Sequence, residues 1–175
     1  MINLRNAKTD EAEKILKFYQ NTIDSIKGTQ FKPIWGKHYP NLEFIESSIE
    51  KQEIYICTKE GNIIACVVLN NDFDPKYEDI DWIINAEPLE TVIIHAFAVT
   101  SDFAGKGIGK EIFKQIKDNA MDNNQKTIRL DIIDENVGAQ KVFDRLGFEY
   151  IDTVEIFHPA VGLEKFHLYE YVLEK

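Results

Sequence analysis

The sequence contains no long apolar run and few cysteines. No stretch approaches the roughly 20 consecutive apolar residues that span a bilayer, and the start, MINLRNAKTDEAEK, is too polar for a secretory signal. We therefore expect no membrane partner and a cytoplasmic protein. Cys57 and Cys66 are the two cysteines, without a CxxC or metal-ligand spacing. We expect two free core thiols on opposite faces of a hairpin, and no metal site.

Basic residues are also in short supply. The chain has 20 Lys and Arg against 30 Asp and Glu, which gives a formal net charge of -10 at pH 7. Non-specific nucleic-acid binding needs a field that attracts phosphate, so a nucleic-acid partner is not expected and a cationic partner is favoured. A chain of 175 residues without repeats or a linker predicts one domain, residues 1–175.

The hydrophobic pattern alternates between helical and strand periods, which indicates an α/β fold with a mixed sheet. A stretch with aromatic residues, 28–40, is predicted either to line a substrate pocket or to be a packed connection. The predicted elements are strand 2–7, helix 9–26 with a capping box at Asp10 and Glu13, a short helix after Asn41, hairpin 53–70, strand 91–99, a helix from Ile108, strand 127–133, a helix from Asn136 to Gly147, and closing strands 148–157 and 166–174.

The segment FAGKGIGKE, residues 103–111, follows the strand directly and has three glycines. It does not fit a Walker A loop, because Lys110 stands where that motif needs its second glycine. A dinucleotide fingerprint is a weaker alternative, since the spacing is GxGxG and the turn before it is long. Successive glycines at a helix start expose unpaired N–H groups in a positive field, so the segment predicts a pyrophosphate site.

Two segments together resemble the GNAT superfamily of N-acetyltransferases, which use acetyl-coenzyme A. In the first, Ala104, Gly107 and Gly109 follow the strand HAFAV. The second, LDIIDENVGAQKVFDRLGF at residues 130–148, has an Asn, a small residue, an aromatic and Gly-Phe in the family's order. The resemblance implies a GNAT-like fold: a mostly antiparallel sheet with one splayed parallel pair, strands 91–99 and 127–133, and about four flanking helices.

The resemblance assigns acetyl-coenzyme A to three segments of the chain. The pantetheine arm would bind the backbone of Phe97, Ala98 and Val99. Asn136, Ala139 and Phe143 would lie beside the pantetheine and the sulfur. The pyrophosphate would bind the loop residues Ala104, Gly105, Lys106, Gly107, Ile108, Gly109 and Lys110.

Two positions depart from the family pattern. Ala104 replaces the usual Gln or Arg of the loop, and Phe143 replaces the tyrosine that many members use to reprotonate the leaving thiolate. A thiolate with a pKa near 8.5 leaves without much help, so the activity is weakened in expectation but not excluded. Tyr169 and Tyr171 are candidates for the missing phenol.

An alkylammonium must lose a proton before it attacks a thioester, so the reaction needs a base. His95 is the first candidate, because it interrupts an apolar strand, has a suitable ordinary pKa near 6.5 and lies in a segment similar to the histidine-bearing strand of arylalkylamine-type acetyltransferases. Glu87 and Glu90 are alternatives that act through water. A backbone N–H near Phe97 or Val99 could stabilise the oxyanion.

The sequence therefore predicts an N-acetyltransferase that moves an acetyl group from acetyl-coenzyme A to a primary amine by direct attack. The amine is either a small molecule or a peptide or protein amine, and residues 72–81 are acidic enough to attract one. The alternative is a degenerate acyltransferase that binds coenzyme A as a sensor or structural ligand without turnover. Dimers are common among the proteins this chain resembles, but the sequence does not decide between a monomer and a homodimer.

Overall fold

The computed structural model describes residues 2–36 and 38–173. Met1, Lys37, Glu174 and Lys175 lie outside the described residues, so the predicted closing strand is described only as far as Leu173 and the predicted loop 28–40 without its residue 37. Within these ranges seven strands form one sheet in the order β1-β2-β3-β4-β5-β7-β6. The strands are β1 (Leu4–Asn6), β2 (Ile54–Lys59), β3 (Asn62–Asn70), β4 (Thr91–Val99), β5 (Thr127–Ile133), β6 (Glu149–His158) and β7 (Gly162–Val172).

Four α-helices flank the sheet in the described part of the chain: α1 (Ala12–Ile26), α2 (Leu42–Glu50), α3 (Ile108–Asp122) and α4 (Val137–Leu146). Every neighbouring strand pair is antiparallel except β4 and β5. The predicted mixed α/β fold, with one parallel pair and four helices, is confirmed.

Side-chain caps mark the start of two of the four described α-helices. The side chain of Asn41 accepts a hydrogen bond from the N–H of Phe44 at the start of α2, and Asn136 accepts one from the N–H of Ala139 at the start of α4. Gly147 ends α4 with a left-handed backbone, as predicted.

The predicted capping box of the first helix is wrong. Thr9–Glu11 form a 3₁₀ turn, and α1 begins only at Ala12. The Glu11 carboxylate accepts hydrogen bonds from the Lys8 N–H and from both terminal nitrogens of Arg5. The contact between Glu11 and the Lys8 N–H therefore caps the chain two residues before the predicted pair, and Arg5 holds the Glu11 carboxylate from outside the helix.

The parallel pair is short because β4 and β5 diverge. Their register runs through only three pairs, from Thr91 opposite Thr127 to Ile93 opposite Arg129. Both strands continue beyond these pairs, β4 to Val99 and β5 to Ile133. The expected splay is present, and it opens a cleft in the middle of the sheet.

The core lies on both faces of the sheet. Helices α3 and α4 cover one face, where Ile112, Phe113 and Ile128 are buried. Helices α1 and α2 cover the other, where Ile15, Ile45 and other apolar side chains pack. None of the helices in the described ranges combines the length and the apolar character needed to cross a membrane.

The two cysteines lie on opposite faces of the β2–β3 hairpin, as predicted. Cys57 packs in the cluster beneath α3, and Cys66 packs in the cluster beneath α1. Both are free thiols. Burial raises the pKa of Cys57 to about 11 and that of Cys66 to about 12, so both stay protonated at neutral pH.

Candidate active site

A cavity of about 110 Å³ lies where β4 and β5 separate. Its walls come from both faces of the sheet, because strand residues alternate between them. Five residues assigned from the sequence line it: His95, Phe97, Asn136, Ala139 and Phe143. The other lining residues are Pro33, Ile34, Trp35, Tyr39, Ile94, Ala96, Leu130, Asp131, Ile132, Ile133 and Phe166.

The glycine loop connects β4 to α3 and is largely exposed. Gly105 has a φ of +72° and Gly107 a φ of +81°, a conformation that residues with a side chain rarely adopt. A Cβ at either position, or at Gly109, would meet no atom within 4 Å. The loop therefore presents an open main chain at the N-terminus of α3.

Most of the loop amides are free to bind an anion. Among the described residues, no acceptor is found for the N–H groups of Gly105, Gly107, Ile108, Gly109 and Lys110. Unpaired N–H groups at a helix N-terminus form an anion site.

Two of the loop residues assigned to the pyrophosphate have N–H groups that are already paired. The N–H of Ala104 donates to Ser101, and that of Lys106 donates to Phe103. The Lys106 ammonium lies 5.6 Å from the centre of the Phe103 ring, and the Lys59 ammonium lies 5.0 Å from the same centre. Lys59 belongs to the end of β2, and sequence reasoning did not connect it with this loop.

A β-bulge interrupts β4 beside the cavity. Val68 pairs with His95 and Cys66 with Ala98, so Ala96 and Phe97 together face the single residue between them on β3. Ala96 has a φ of +48°, and its carbonyl accepts a hydrogen bond of 2.6 Å from the hydroxyl of Tyr19.

The bulge and the strand pairing set the direction of the β4 amides. The N–H of Thr100 donates to Ile64 on β3. Because successive N–H groups of a strand point to opposite edges, those of Val99 and Phe97 face the edge from which β5 has diverged. The N–H of Ala98 points to the other edge, toward β3, where Ala98 is paired with Cys66. The Ala98 side chain is buried beneath α1.

The segment after α1 is tied to the start of α4. The Oδ1 atom of Asn136 accepts from the N–H of Lys32 and from that of Ala139, and no acceptor of its Nδ2 group is found among the described residues. The N–H of Gly138 donates to the carbonyl of Gln30.

These contacts bring the aromatic segment 28–40 to the cavity, where Trp35 and Tyr39 form part of the wall. Both predicted alternatives hold in part, because Trp35 lines the cavity and also packs edge-on against Tyr19 of α1. That the cavity receives a substrate stays a prediction.

Asp131 brings a carboxylate into the cavity. One of its oxygens accepts a 2.8 Å hydrogen bond from the buried Tyr77, which comes from the acidic segment between β3 and β4. Sequence reasoning did not assign this role to Asp131. The alternation of β5, which buries Ile128, Leu130 and Ile132 on the opposite face, is the signal that could have found it.

Two further titratable groups lie near Asp131. Burial, and next the Asp131 charge, raise the pKa of Tyr39 well above its ordinary value, so this phenol stays protonated at neutral pH. Its ring lies edge-on to that of His158, 5.0 Å away. Burial lowers the pKa of His158, so its imidazole is neutral at pH 7.

His95 is half-buried and faces the same cavity. Its Nε2 atom lies 2.9 Å from Oδ1 of Asn70 and 3.0 Å from the carbonyl oxygen of Asp72. The predicted alternatives Glu87 and Glu90 do not line the cavity. Glu87 precedes a 3₁₀ turn before β4, and Glu90 is the last residue of that turn, where it pairs with Lys126 at 2.7 Å.

The phenols suggested as substitutes at position 143 also lie elsewhere. Phe143 is buried and packs edge-on against Phe97 and Phe148. Tyr169 is buried under α3 and does not line the cavity. The hydroxyl of Tyr171 accepts from Lys117, away from the cavity. The prediction that Tyr169 or Tyr171 supplies the phenol missing at position 143 is therefore wrong. Tyr39 is the phenol in the described cavity wall.

The structure thus combines a loop with free amides, a splayed parallel pair of strands and a cavity at the splay. The family model of the acetyltransferase (GNAT) family matches residues 21–148. The chain belongs to the GNAT family, which confirms the family predicted from the sequence. GNAT enzymes use acetyl-coenzyme A as their co-substrate.

Two relatives are named as N-acetyltransferases. An uncharacterised N-acetyltransferase of Methanocaldococcus jannaschii is 25% identical over 153 residues, which cover 87% of this chain and 62% of that protein. One from Bacillus subtilis is 24% identical over 111 residues, which cover 63% of this chain and 61% of that protein. The matched region thus spans about three fifths of each relative.

Solved structures share the fold along the whole chain. A GNAT-family acetyltransferase of Streptococcus agalactiae has a TM-score of 0.81 at 19% identity, covering 99% of this chain and 96% of that one. An acetyltransferase of Salmonella typhimurium, solved with acetyl-CoA, has a TM-score of 0.67 at 14% identity, covering 100% and 95%. At these identities the likeness concerns the fold.

Proposed function

We propose that this protein is an acetyl-coenzyme A-dependent N-acetyltransferase for a primary amine. The observation that carries the proposal is the cavity at the splay between β4 and β5. It has free loop amides beyond one end and a carboxylate, a histidine and aromatic side chains in its wall. Such an arrangement suits a thioester that enters from the loop and an amine that enters from the opposite side.

The cofactor would occupy the residues assigned from the sequence, with two refinements. Its pyrophosphate would accept from the free amides of the loop, while Lys106 contributes its ammonium group and not its N–H. Its pantetheine arm would replace the missing ladder partner of β4 at Phe97 and Val99, whereas Ala98 faces β3. The unpaired carboxamide Nδ2 of Asn136 is a further donor at the cavity.

The acceptor would approach as an ammonium ion, attracted to Asp131. Loss of one proton to His95 would produce the neutral amine, whose nitrogen forms a bond to the thioester carbonyl carbon. The N–H of Phe97 or Val99 would stabilise the oxyanion. The carbon–sulfur bond then breaks, and the thiolate leaves with its electron pair, without a proton from Phe143. The proton that remains on the acetylated nitrogen passes to this thiolate or to water, which yields the neutral amide.

The test is a purified-protein assay with acetyl-coenzyme A and a panel of small amines and short peptides, in which free thiol is measured. We expect amine-dependent thiol release that falls in the His95→Gln variant. Calorimetry with acetyl-coenzyme A provides the binding arm. Absence of binding would overturn the assignment.

Phe143 gives a second candidate function a specific basis, because no phenol stands at that position. In that case the protein binds coenzyme A as a sensor or structural ligand. Tight binding in calorimetry together with no thiol release across the panel would favour it over the enzyme. Amine-dependent release would rule it out.

A further inference from the structure

The contacts of His95 define which of its two nitrogens carries the hydrogen. Both partners of Nε2, the Oδ1 atom of Asn70 and the carbonyl oxygen of Asp72, are acceptors. Nε2 must therefore donate, and in the neutral ring the lone pair is on Nδ1. No partner of Nδ1 is found among the described residues. A base in this form has its accepting nitrogen free for substrate.

The orientation of the Asn70 amide is fixed independently of His95. Its Nδ2 group donates to a carboxylate oxygen of Glu53 at 3.1 Å, so that end is the donor. Its Oδ1 atom accepts from the N–H of Asp72 at 3.0 Å. Turning the amide over would place two donors against each other and two acceptors against each other.

Paired strands hold the three residues of this hydrogen-bond chain, Glu53, Asn70 and His95. Glu53 directly precedes β2, where Ile54 pairs with Val68 on β3, and Val68 pairs in turn with His95 on β4. Asn70 is the last residue of β3. Because the register of three neighbouring strands sets these positions, the hydrogen-bond chain is part of the rigid sheet.

We infer that Glu53 and Asn70 are positioning residues that hold His95 as its Nε2–H tautomer, so that Nδ1 accepts the proton of the amine. The inference rests on the proposed function, in which His95 is the base. Neither residue lines the cavity. They act through the imidazole, by fixing its tautomer and by stabilising its charged form through the oxygen of Asn70.

Other titratable groups also face His95. Asp131 comes from β5, Tyr39 from the aromatic segment, and His158 from the end of β6. The carboxylate of Asp72 lies on the segment whose backbone carbonyl binds Nε2. All of these remain unchanged in the variants below, so a changed pH profile reports on the Glu53–Asn70 pair.

The kinetic test compares two variants. Asn70→Ala removes the acceptor, and we expect kcat/KM for the amine to fall by about tenfold to a hundredfold, part of the 10²–10⁴ that a general base supplies. The double variant Asn70→Asp/Glu53→Gln keeps a donor–acceptor pair but places a carboxylate against Nε2. It should move the acidic limb of the kcat/KM profile up by about one pH unit or more.

Asn71→Ala is the matched control. It removes an adjacent asparagine whose side chain donates to the carbonyls of Pro88 and Thr91 and does not touch His95. We expect it to lower stability without moving the pH profile. A double variant with the wild-type profile, or an Asn71→Ala profile that moves equally, overturns the inference.

A second measurement keeps the inference separate from the proposed function. Nitrogen-15 spectra of labelled histidine, assigned with His95→Gln, report the tautomer without turnover. We expect one Nε2–H form in the wild type and a mixture in Asn70→Ala, because this change removes one acceptor of Nε2 and also the partner of the Asp72 N–H, which releases the Asp72 carbonyl from its position. If the protein acetylated no amine, the proposed function would be wrong, yet these spectra would still show whether Asn70 fixes the tautomer of His95. Mixed tautomers in the wild type, or a single form in Asn70→Ala, would contradict it.

Discussion

Substitution of Gly107 tests the glycine loop most sharply, because its cost can be calculated from the structure. Gly107 has a φ of +81°, and a Cβ there would meet nothing within 4 Å. The penalty for Gly107→Ala is therefore conformational: about 1–2 kcal/mol for a left-handed residue, less about 0.4–1 kcal/mol for the more restricted unfolded chain. We expect a net loss of about 1 kcal/mol, measured by urea unfolding.

Gly109→Ala is the matched comparison at the same loop. Gly109 has no positive φ, lies in the first turn of α3 and has open space around its Cβ position. Alanine in a helix is favoured over glycine by about 0.5–1 kcal/mol, so stability should stay equal or rise.

The affinity for coenzyme A should nevertheless fall in both loop variants. The methyl group at 109 occupies the space through which a diphosphate approaches the amides, and a relaxed backbone at 107 turns its amide away. We expect a loss of about tenfold in calorimetry, equal to about 1.4 kcal/mol. Gly162→Ala, with a similar φ of +87° at the β6–β7 turn, should lose stability and keep its affinity. A Gly109→Ala protein that binds like the wild type would refute the reasoning.

Three other expectations follow from buried or paired groups. Tyr19→Phe leaves the Ala96 carbonyl without its donor, so stability should fall by about 1–3 kcal/mol in urea unfolding. The value of kcat should fall more than the affinity for acetyl-coenzyme A changes. An unchanged kcat would contradict the claim that the bulge sets the direction of the β4 amides. Asp131→Asn should raise KM for a cationic amine in steady-state assays, and an equal KM would show that the carboxylate does not bind it. The hydrogen bond to Arg5 lowers the pKa of Glu11 from 4.5 to about 2, so the stabilisation from the ionised Glu11 is complete above pH 4.5 and is lost as pH falls toward 2. The difference in unfolding free energy between wild type and Glu11→Gln should disappear over that range. A difference that persists at pH 2 would contradict the role of this ion pair.

Local signals predicted those parts of the fold that local energetics control. The alternation of TIRLDII reproduces β5 with both of its ends, since each inward side chain adds burial independently. The helix from Asn136 to Gly147 carries its own cap and stop. The spacing of these features with the glycine loop was enough to indicate the family.

The part of the cavity proposed to receive the amine could not be predicted in the same way, because tertiary contacts create it. Ala96 gives no sign of its positive φ, which depends on a tyrosine of α1. Trp35 reaches the cavity because the preceding residues are tied to α4. The Glu53–Asn70–His95 chain joins residues that are distant in sequence and meet only through strand register.

The central claim is that the free amides of Gly105 and of residues 107–110 receive a diphosphate whose thiol-bearing arm enters the gap between β4 and β5. A titration of nitrogen-15-labelled protein with coenzyme A, followed by amide chemical shifts, tests it directly. We predict saturable shifts at Gly107, Gly109 and Val99, while Asp118 at the far end of α3 stays unchanged. The absence of saturable shifts at the loop, or shifts confined to the far end of α3, would contradict the account.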